Sequence, residues 1–242
     1  MFITSSNNEH IKEINKLKEK KYRDKTNTFL IEGKHIVLEA YKEGLVKELI
    51  LEQDELFPLN CPTTYVTKEI LKKLSSMESY SKIMAVTEKI KEKPLGEKLL
   101  ILDDIQDPGN MGTIIRSACA FGIDTIVLSP KTVDLYNPKV IRSTQGMLFH
   151  INIIVREIVP FIKELKKDNY KIIGTKVTDG NDVRSSKIYS HYALVIGNEG
   201  QGISMEVKDL CSEYLYIRMN EQVESLNVAV ATSILLYELY NK

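Results

Sequence analysis

The sequence predicts an α/β protein in which a small α/β domain precedes a mostly parallel sheet with helices on both faces. Short apolar runs alternate with segments of helical periodicity, which is the pattern of βαβ units, and a sheet of that kind is covered on both sides. A polar stretch, Glu88–Gly96, separates two patterned regions as a linker would. A chain of 242 residues has room for two cores. We therefore expect domains at residues 1–93 and 94–242.

The first region is predicted to be a small α/β unit. Ser6 followed by Glu9 is typical of a capping box, which predicts a helix that starts near Asn7. The remaining predicted elements are strands at Thr28–Ile31, Leu49–Leu51 and Thr63–Val66 and helices at Lys34–Glu43 and Lys68–Ser75.

The second region alternates more regularly between strands and helices. The predicted strands are Leu99–Leu102, Thr125–Leu128, Ile172–Gly174, Ala193–Ile196 and Tyr214–Ile217, and the predicted helices are Met111–Phe121, Ile158–Lys167 and Asn227–Tyr240. The last helix carries apolar residues almost all round, so we expect it to be packed on several sides.

Composition excludes several classes of protein. Hydrophobic residues at 43% and charged residues at 27% argue against disordered, collagen-like and coiled-coil chains. Basic and acidic side chains number 33 each, so any nucleic-acid surface must be local. Three separated cysteines argue for a reducing compartment and against a cysteine-rich metal site. Without an apolar signal core or a spanning run of roughly 18 residues, we expect a cytoplasmic protein that binds no membrane and no metal.

A basic strip lies between residues 16 and 25. It contains Lys18, Lys20, Lys21 and Arg23 with Tyr22 among them, and only two acidic residues oppose its cations. Such a strip can face RNA phosphates. It can equally be a solvated helix end whose lysines favour the C-terminal dipole.

Three polar loops each follow an apolar strand of the second region. Residues 103–116 contain a Pro-Gly turn, Asn110 as a possible helix cap, and Arg116 on an otherwise apolar or small helix. Residues 197–202 place Glu199 among three glycines, and residues 218–227 lead through Ser225 and Asn227, either of which can cap the last helix. Loops at the carboxyl ends of parallel strands converge on one crevice.

Capping and turn formation remain alternative explanations for these polar residues, and a structural ion pair remains one for Arg116. A nicotinamide-dependent oxidoreductase is a second alternative. It would need a G-x-G-x-x-G loop with an acidic ribose ligand, and the sequence contains neither element.

The three loops, in this order, resemble the three motifs of the SpoU (TrmH-like) family of RNA ribose methyltransferases, within the SPOUT superfamily. Asn137–Gly146 resembles the family's middle segment. Phe29–Lys34, with Glu39 and Ala40, is similar to the family's ribosomal-protein-like substrate-binding domain. Two positions depart from the pattern, since Arg218 and Asn152 stand where proline is expected.

The resemblance implies a deep trefoil knot, a homodimer with its site near the subunit interface, and S-adenosylmethionine as methyl donor to a ribose 2′-hydroxyl. Ribosomal RNA is favoured over transfer RNA by analogy with relatives that carry such a domain. A non-catalytic RNA-binding relative is the remaining alternative. The implied site residues are Arg116, Asn110, Glu199, Ser225 and Asn227 for catalysis and Gly197, Ile217 and Leu226 for the cofactor.

Arg116 would lie next to the reacting hydroxyl. A guanidinium offers five donors and no acceptor, so we expect it to stabilise negative charge on the oxygen or to clamp a phosphate rather than to accept a proton. Asn110 and Glu199 would orient the arginine or the RNA, the carboxylate through a charge-assisted hydrogen bond.

Overall fold

The structure is a computed structural model that describes residues 1–187 and 189–242. The chain divides into two compact units. The first contains Met1–Lys91 and Asp134–Phe149, and the second contains Glu92–Val133 and His150–Lys242. The chain first passes from one unit to the other after Lys91, two residues before the predicted boundary at 93. Residues 134–149, which we placed in the second domain, cluster with the first unit instead.

The first unit is built on a five-stranded sheet of order β1-β4-β3-β5-β2. β5 lies between β3 and β2 and runs antiparallel to both. The elements of the first unit are β1 (Phe2–Ile3), α1 (Glu9–Lys16), α2 (Lys20–Thr26), β2 (Thr28–Glu32), α3 (Lys34–Lys42), β3 (Val46–Glu52), β4 (Thr63–Val66), α4 (Lys68–Leu74), β5 (Ile83–Glu88), α6 (Pro138–Thr144) and a 3₁₀ turn at Met147–Phe149.

The first helix begins later than predicted. Asn8 is its N-cap, because the Asn8 side chain accepts a hydrogen bond from the backbone N–H of His10 at 2.9 Å. The capping box that we expected from Ser6 and Glu9 is therefore wrong, and Glu9 instead starts the helix and pairs with Lys12.

Residues 134–149 are fixed to the first unit by a buried ion pair and by aromatic packing. Arg23 is only 5% exposed and donates to Asp134 Oδ2 at 2.5 Å. The fully buried Phe29 ring lies 4.7 Å from the ring of Tyr136 and 6.3 Å from that of Phe149. These contacts join positions more than a hundred residues apart, which sequence periodicity does not register.

The second unit is built on a seven-stranded sheet of order β10-β12-β9-β11-β6-β7-β8, in which every described pairing is parallel. Its elements are β6 (Lys98–Asp103), α5 (Pro108–Ala120), β7 (Thr125–Leu128), β8 (Asn152–Val155), α7 (Ile158–Lys167), β9 (Lys171–Thr175), β10 (Asn181–Asp182), a 3₁₀ turn at Val183–Ser185, β11 (Tyr192–Gly197), α8 (Met205–Lys208), β12 (Glu213–Tyr216) and α9 (Val228–Tyr240).

Both faces of this sheet are buried. On one face Leu99 and Val195 pack against Phe161 of α7 and Val207 of α8. The alternate residues of the same strands, such as Leu100, point to the other face and are also fully buried, and α5 and α9 pack against each other. The mostly parallel α/β architecture is therefore confirmed.

Asn152 has a clear structural role where proline was expected. Its side-chain oxygen accepts from the backbone N–H of Lys93 at 2.9 Å, and its Nδ2 donates to the Lys93 carbonyl at 2.9 Å. Nδ2 also lies 3.2 Å from Thr125 Oγ1. The amide thus holds the start of the second unit against the sheet edge, a bond that proline could not make.

Candidate active site

The carboxyl ends of the strands bring the three predicted loops together. Asp103, the last residue of β6, is paired in register with Gly197, the last residue of β11. On the next strands along, Leu215 of β12 is paired with Thr175 of β9. Loops that leave these strands therefore start side by side at one edge of the sheet.

Asn110 does not cap its helix, so capping, one of the two explanations that we considered for it, does not apply. Asp107 is the N-cap, because its Oδ1 accepts from the backbone N–H of Asn110 at 2.8 Å and Pro108 occupies the first turn. Asn110 lies inside the helix, and its side-chain amide is free to bond elsewhere.

A hydrogen-bond network joins the three loops through this amide. Asn110 Nδ2 donates to Glu199 Oε1 at 3.2 Å, and Asn227 Nδ2 donates to Asn110 Oδ1 at 2.9 Å. Asn227 also caps α9 through its Oδ1, which accepts from the N–H of Ala229 at 2.9 Å. Of the two caps that we considered, Asn227 is the one used. One residue from each loop thus contributes to a single network.

Glu199 ties the second loop to the first. Its carboxylate accepts from the backbone N–H of Asp107 at 3.0 Å and from that of Gln106 at 3.2 Å. Partial burial disfavours its charged form, but the backbone hydrogen bond from Asp107 and the bonds from Asn110 and Gln106 outweigh that effect and lower the pKa of Glu199 below its ordinary 4.5. The group is thereby kept an ionised acceptor.

Two further residues that hold the first and second loops in place were not predicted from the sequence. Asn198 Nδ2 donates to the Asp104 carbonyl at 2.8 Å, while its Oδ1 accepts from the N–H of Gly200 at 2.9 Å. Asp104 has a φ of 63°, and its carboxylate accepts from Ser129 Oγ at 2.5 Å. Aspartate tolerates this left-handed conformation better than most residues do. An aspartate directly after a predicted strand was therefore the local signal that could have identified Asp104.

The second and third loops line a cavity of about 670 Å³. The predicted cofactor residues Gly197, Ile217 and Leu226 line it, together with Glu199 and Ser225. Residues that we did not predict complete the wall, among them Thr175, Met219, Ala231, Thr232 and Leu235. Thr175 ends a parallel strand, so the same strand-end rule could have found it.

Gly197 is required by the close approach of two backbone segments. A Cβ at this position would lie 2.1 Å from the carbonyl carbon of Gly202 and 2.1 Å from the nitrogen of Ile203. Asn198 and Gly202 exchange backbone hydrogen bonds of 3.0 and 2.9 Å just beyond it. The turn can therefore come this close to its own chain only with glycine at position 197.

The cavity fits a nucleoside-sized ligand with an apolar and a polar part. Its volume lies in the range of about 300–1,000 Å³ that small-molecule sites occupy. Ile217 and Leu226 bring apolar side chains to the cavity, and Glu199 and Ser225 bring polar ones, as a ligand with a flat base and a charged part requires. The residues present therefore fit S-adenosylmethionine.

Arg116 is exposed on α5 and does not line this cavity. Over residues 1–187 and 189–242 its side chain makes neither a hydrogen bond nor an ion pair. No hydrogen bond joins Arg116 to Glu199, whose carboxylate accepts from the Gln106–Asp107 backbone and from Asn110. Of the two partners that we considered for Glu199, the arginine and the RNA, the arginine is thus not bonded to it.

The basic strip is only partly available to RNA. Lys20 and Lys21 are exposed. Lys18 donates to the carbonyls of Lys73 and Ser75 at 2.7 and 3.0 Å. Arg23 is buried and donates to the carbonyls of Leu17 and Lys18 and to Asp134. Our assignment of Arg23 to the RNA surface is therefore wrong, because its guanidinium is enclosed by its own unit.

No helix in the described part of the chain is long and apolar enough to cross a membrane. Among the same residues, no group of three or more His, Cys, Asp or Glu side chains could hold a metal ion.

Family models match most of the chain. Residues 97–237 match the SpoU rRNA Methylase family. The chain belongs to that family. Residues 8–85 of this SpoU family member match the MRM3-like substrate binding domain. It is 39% identical over 243 residues to 23S rRNA (guanosine(2553)-2′-O)-methyltransferase RlmP of Bacillus subtilis (strain 168), covering 98% of each chain.

Solved structures agree with this assignment. A crystal structure of AdoMet-bound rRNA methyltransferase from Sinorhizobium meliloti matches with a TM-score of 0.88 and 26% identity, over 100% of this chain and 97% of that one. A crystal structure of an RNA 2′-O ribose methyltransferase matches with a TM-score of 0.85 and 27% identity, over 100% and 98%. The predicted RNA 2′-O-methyltransferase activity and its cofactor, S-adenosylmethionine, are confirmed.

Proposed function

We propose that this SpoU family member methylates a ribose 2′-hydroxyl of 23S ribosomal RNA. The observation that carries the substrate is the 39% identity to RlmP over 98% of both chains, which includes the substrate-binding region as well as the methylase region. Ribosomal RNA as the substrate supports the cytoplasmic location expected from the sequence.

The chemistry is an in-line displacement in which a C–O bond to the ribose forms as a C–S bond breaks. When bound, S-adenosylmethionine supplies an electrophilic methyl group on a positively charged sulfur. The ribose oxygen becomes more negative as its proton leaves to water or to a phosphate oxygen. We assign Arg116 to stabilise that oxygen, because its donors are not used by any group in the described chain.

The network of Asn110, Glu199 and Asn227 positions the loops for this reaction. The three side chains come from three different loops, and those of Glu199 and Asn227 both bond the first loop, so together they fix the start of α5 relative to the other two loops. Alignment of this kind supplies a large share of a transfer reaction's rate, since reacting atoms must be held in line. We assign Ser225, which lines the cavity, to substrate or cofactor.

A second copy of the chain is the partner that we propose for α9. We expected this helix to be packed on several sides, but Val230, Tyr237 and Tyr240 are 48%, 53% and 56% exposed. An apolar helix face of this kind is typical of a subunit interface. Light scattering after gel filtration tests this, with a dimer expected for the parent and a monomer for Val230→Glu. A monomeric parent at micromolar concentration would contradict it.

We also propose that the second unit contains the deep trefoil knot that the family resemblance implies.

The deciding experiment is methyl transfer from labelled S-adenosylmethionine to total RNA from a strain lacking the gene, followed by mapping of 2′-O-methyl sites. We expect label at one position of 23S RNA. Label in transfer RNA alone would overturn the proposed substrate. Cofactor binding with no label in naked RNA or in assembly intermediates would favour the non-catalytic RNA-binding alternative.

A further inference from the structure

A second cavity, of about 520 Å³, lies within the first unit. It is bounded by β2 and the start of α3 on one side, by residues 76–79 on another, and by α6 on the third. None of the residues assigned to catalysis or to the cofactor lines it. Its size is that of a site for one small ligand.

The floor of this cavity is apolar and its rim is charged. Leu30, Ile31, Ile36, Met77 and Ile141 line it, as does Pro138. Lys139 and Arg142, both exposed, line the α6 side. An apolar floor with a basic edge matches a nucleotide, whose base is flat and apolar on its faces and whose phosphate is an anion.

The two cations are free to bind a phosphate. In the described parts of the chain neither Lys139 nor Arg142 forms an ion pair, and the side chain of neither makes a hydrogen bond. The hydrogen bonds of Lys139 use its backbone: its N–H donates to the capping oxygen of Asn137 at 2.9 Å, and its carbonyl accepts from Ser143 Oγ at 2.8 Å. An unpaired guanidinium and ammonium on one edge suit a phosphodiester.

Two carboxylates also line the cavity, and they limit where an anion can lie. Glu32 is already engaged, since it accepts from Ser75 Oγ at 2.6 Å and from the N–H of Ser76 at 2.8 Å. Glu78 is exposed on the opposite loop, where it can accept from a donor on a base edge. A phosphate is therefore favoured on the α6 side and a base edge near Glu78.

Contacts within the first unit hold the walls of the cavity in place. Glu32 holds residues 75 and 76, and the ion pair between Arg23 and Asp134 anchors the segment that carries α6. Gly146, with a φ of 86°, lets that segment approach α3 so closely that a Cβ would lie 2.8 Å from Glu39 Cγ. A preformed site loses less freedom on binding than a mobile one.

We propose that this cavity binds one unpaired nucleotide of the RNA substrate, distinct from the nucleotide that is methylated. This inference rests on the proposed RNA substrate and names how the first unit recognises it. Unpaired nucleotides are the part of a structured RNA whose bases can enter such a cavity. Residues 134–149 thus serve recognition, although the match to the SpoU rRNA Methylase family spans them.

Alanine variants of the two cations test the proposal in the full chain. We expect Arg142→Ala to weaken RNA binding by roughly ten- to a hundredfold, because hydrogen bonds to charged groups are strong. Lys139→Ala should weaken it by less, because an ammonium lacks the paired donors that a guanidinium offers a phosphate. S-adenosylmethionine affinity and kcat at saturating RNA should not change. Lys12→Ala is the control, because it removes the same charge from an exposed pair with Glu9 outside the cavity.

Ultraviolet cross-linking to the RNA substrate gives an independent readout, with adducts expected on peptides containing Met77 or residues 137–142. Parent-like RNA affinity in both cavity variants, or equal losses in Lys12→Ala, would overturn the proposal. The proposal would also be overturned if a free mononucleotide bound in the cavity but the Arg142→Ala variant kept the RNA affinity of the parent. If RNA binds through the cavity but no methyl group is transferred, the proposed function fails and this inference stands.

Discussion

Asn227 Nδ2 donates a 2.9 Å hydrogen bond to Asn110 Oδ1 although 117 residues separate the two along the chain. The same Asn110 amide donates to Glu199, so the first loop is held from both sides. Asn227 has a second duty as the cap of α9. Its two roles can be separated, because one uses its oxygen and the other its nitrogen.

Asn227→Asp should therefore lose activity without losing stability. Aspartate keeps the capping oxygen but cannot donate to Asn110, so we expect turnover to fall about tenfold or more while the thermal midpoint is unchanged. Asn227→Ala should lose turnover and, in addition, roughly 1 kcal/mol of stability from the missing cap. Full activity in Asn227→Asp would show that the bond to Asn110 does not position the loops.

Arg116→Lys should lose most of its turnover. One ammonium cannot reproduce the planar set of donors, and removal of a single donor from a developing negative charge costs roughly 100-fold or more in kcat. S-adenosylmethionine binding, measured by calorimetry, serves as the control because Arg116 does not line the cofactor cavity. Near-normal turnover would remove Arg116 from the reacting oxygen.

Gly197→Ala should abolish cofactor binding and destabilise the second unit. The added methyl group would lie 2.1 Å from backbone atoms of Gly202 and Ile203, and backbone cannot move aside as a side chain can. We expect the free energy of unfolding to fall by about 1–3 kcal/mol or more. Gly200→Ala is the matched control in the same turn, since its Cβ would meet only Asn198 Oδ1 at 3.7 Å. Equal effects of the two substitutions in calorimetric titration and thermal melts would contradict this account.

Glu199 should stabilise the fold in a pH-dependent manner. Because its pKa is lower in the folded chain than its ordinary 4.5, the unfolded chain takes up the proton first as pH falls. The contribution is therefore complete above 4.5 and is lost as pH falls through the folded-state pKa. Urea unfolding of the parent and Glu199→Gln should show a difference in free energy at pH 7 that shrinks in acid. A difference independent of pH would contradict this.

Substitutions in the basic strip should affect RNA binding at its exposed residues and stability at its buried residue. Lys20→Glu with Lys21→Glu should flatten the dependence of RNA affinity on salt by roughly 0.7–0.9 per lost phosphate contact, without a change in thermal midpoint. Arg23→Ala should instead lower stability by about 3–5 kcal/mol, because it leaves Asp134 without its partner. An unchanged salt slope in the first variant would exclude Lys20 and Lys21 from the RNA surface.

Local patterns predicted the strands that bear the site, because buried parallel strands are marked by continuous apolar runs. Thr125–Leu128 and Ile158–Lys167 have the predicted bounds. The resemblance to the SpoU family motifs implied Gly197, Ile217 and Leu226 as cofactor residues, and the three line one cavity. What periodicity could not supply was the bonding of individual side chains, such as the Asn110 amide, which depends on residues distant in sequence.

Some of the missed features did carry a local signal. Pro108 is favoured at the first position of a helix, which would have identified Asp107 as the cap. Ile83–Glu88 starts with the apolar run Ile83–Val86, which favours a buried strand, yet it adjoins the lysine-rich linker and was left unassigned. The membership of residues 134–149 in the first unit had no such signal, since it depends on Arg23 and Phe29, which lie far away in the chain.

The discontinuity of the first unit has a consequence for how the chain is made. During synthesis on the ribosome, residues 1–91 emerge first, but Phe29 cannot stack on Tyr136 and Phe149 until some sixty more residues have been added. Domains synthesised earlier generally fold first, and a unit that waits for a later segment stays open meanwhile. The substrate-binding unit is therefore completed during translation only after the first strands and the Arg116 helix of the methylase unit have already emerged.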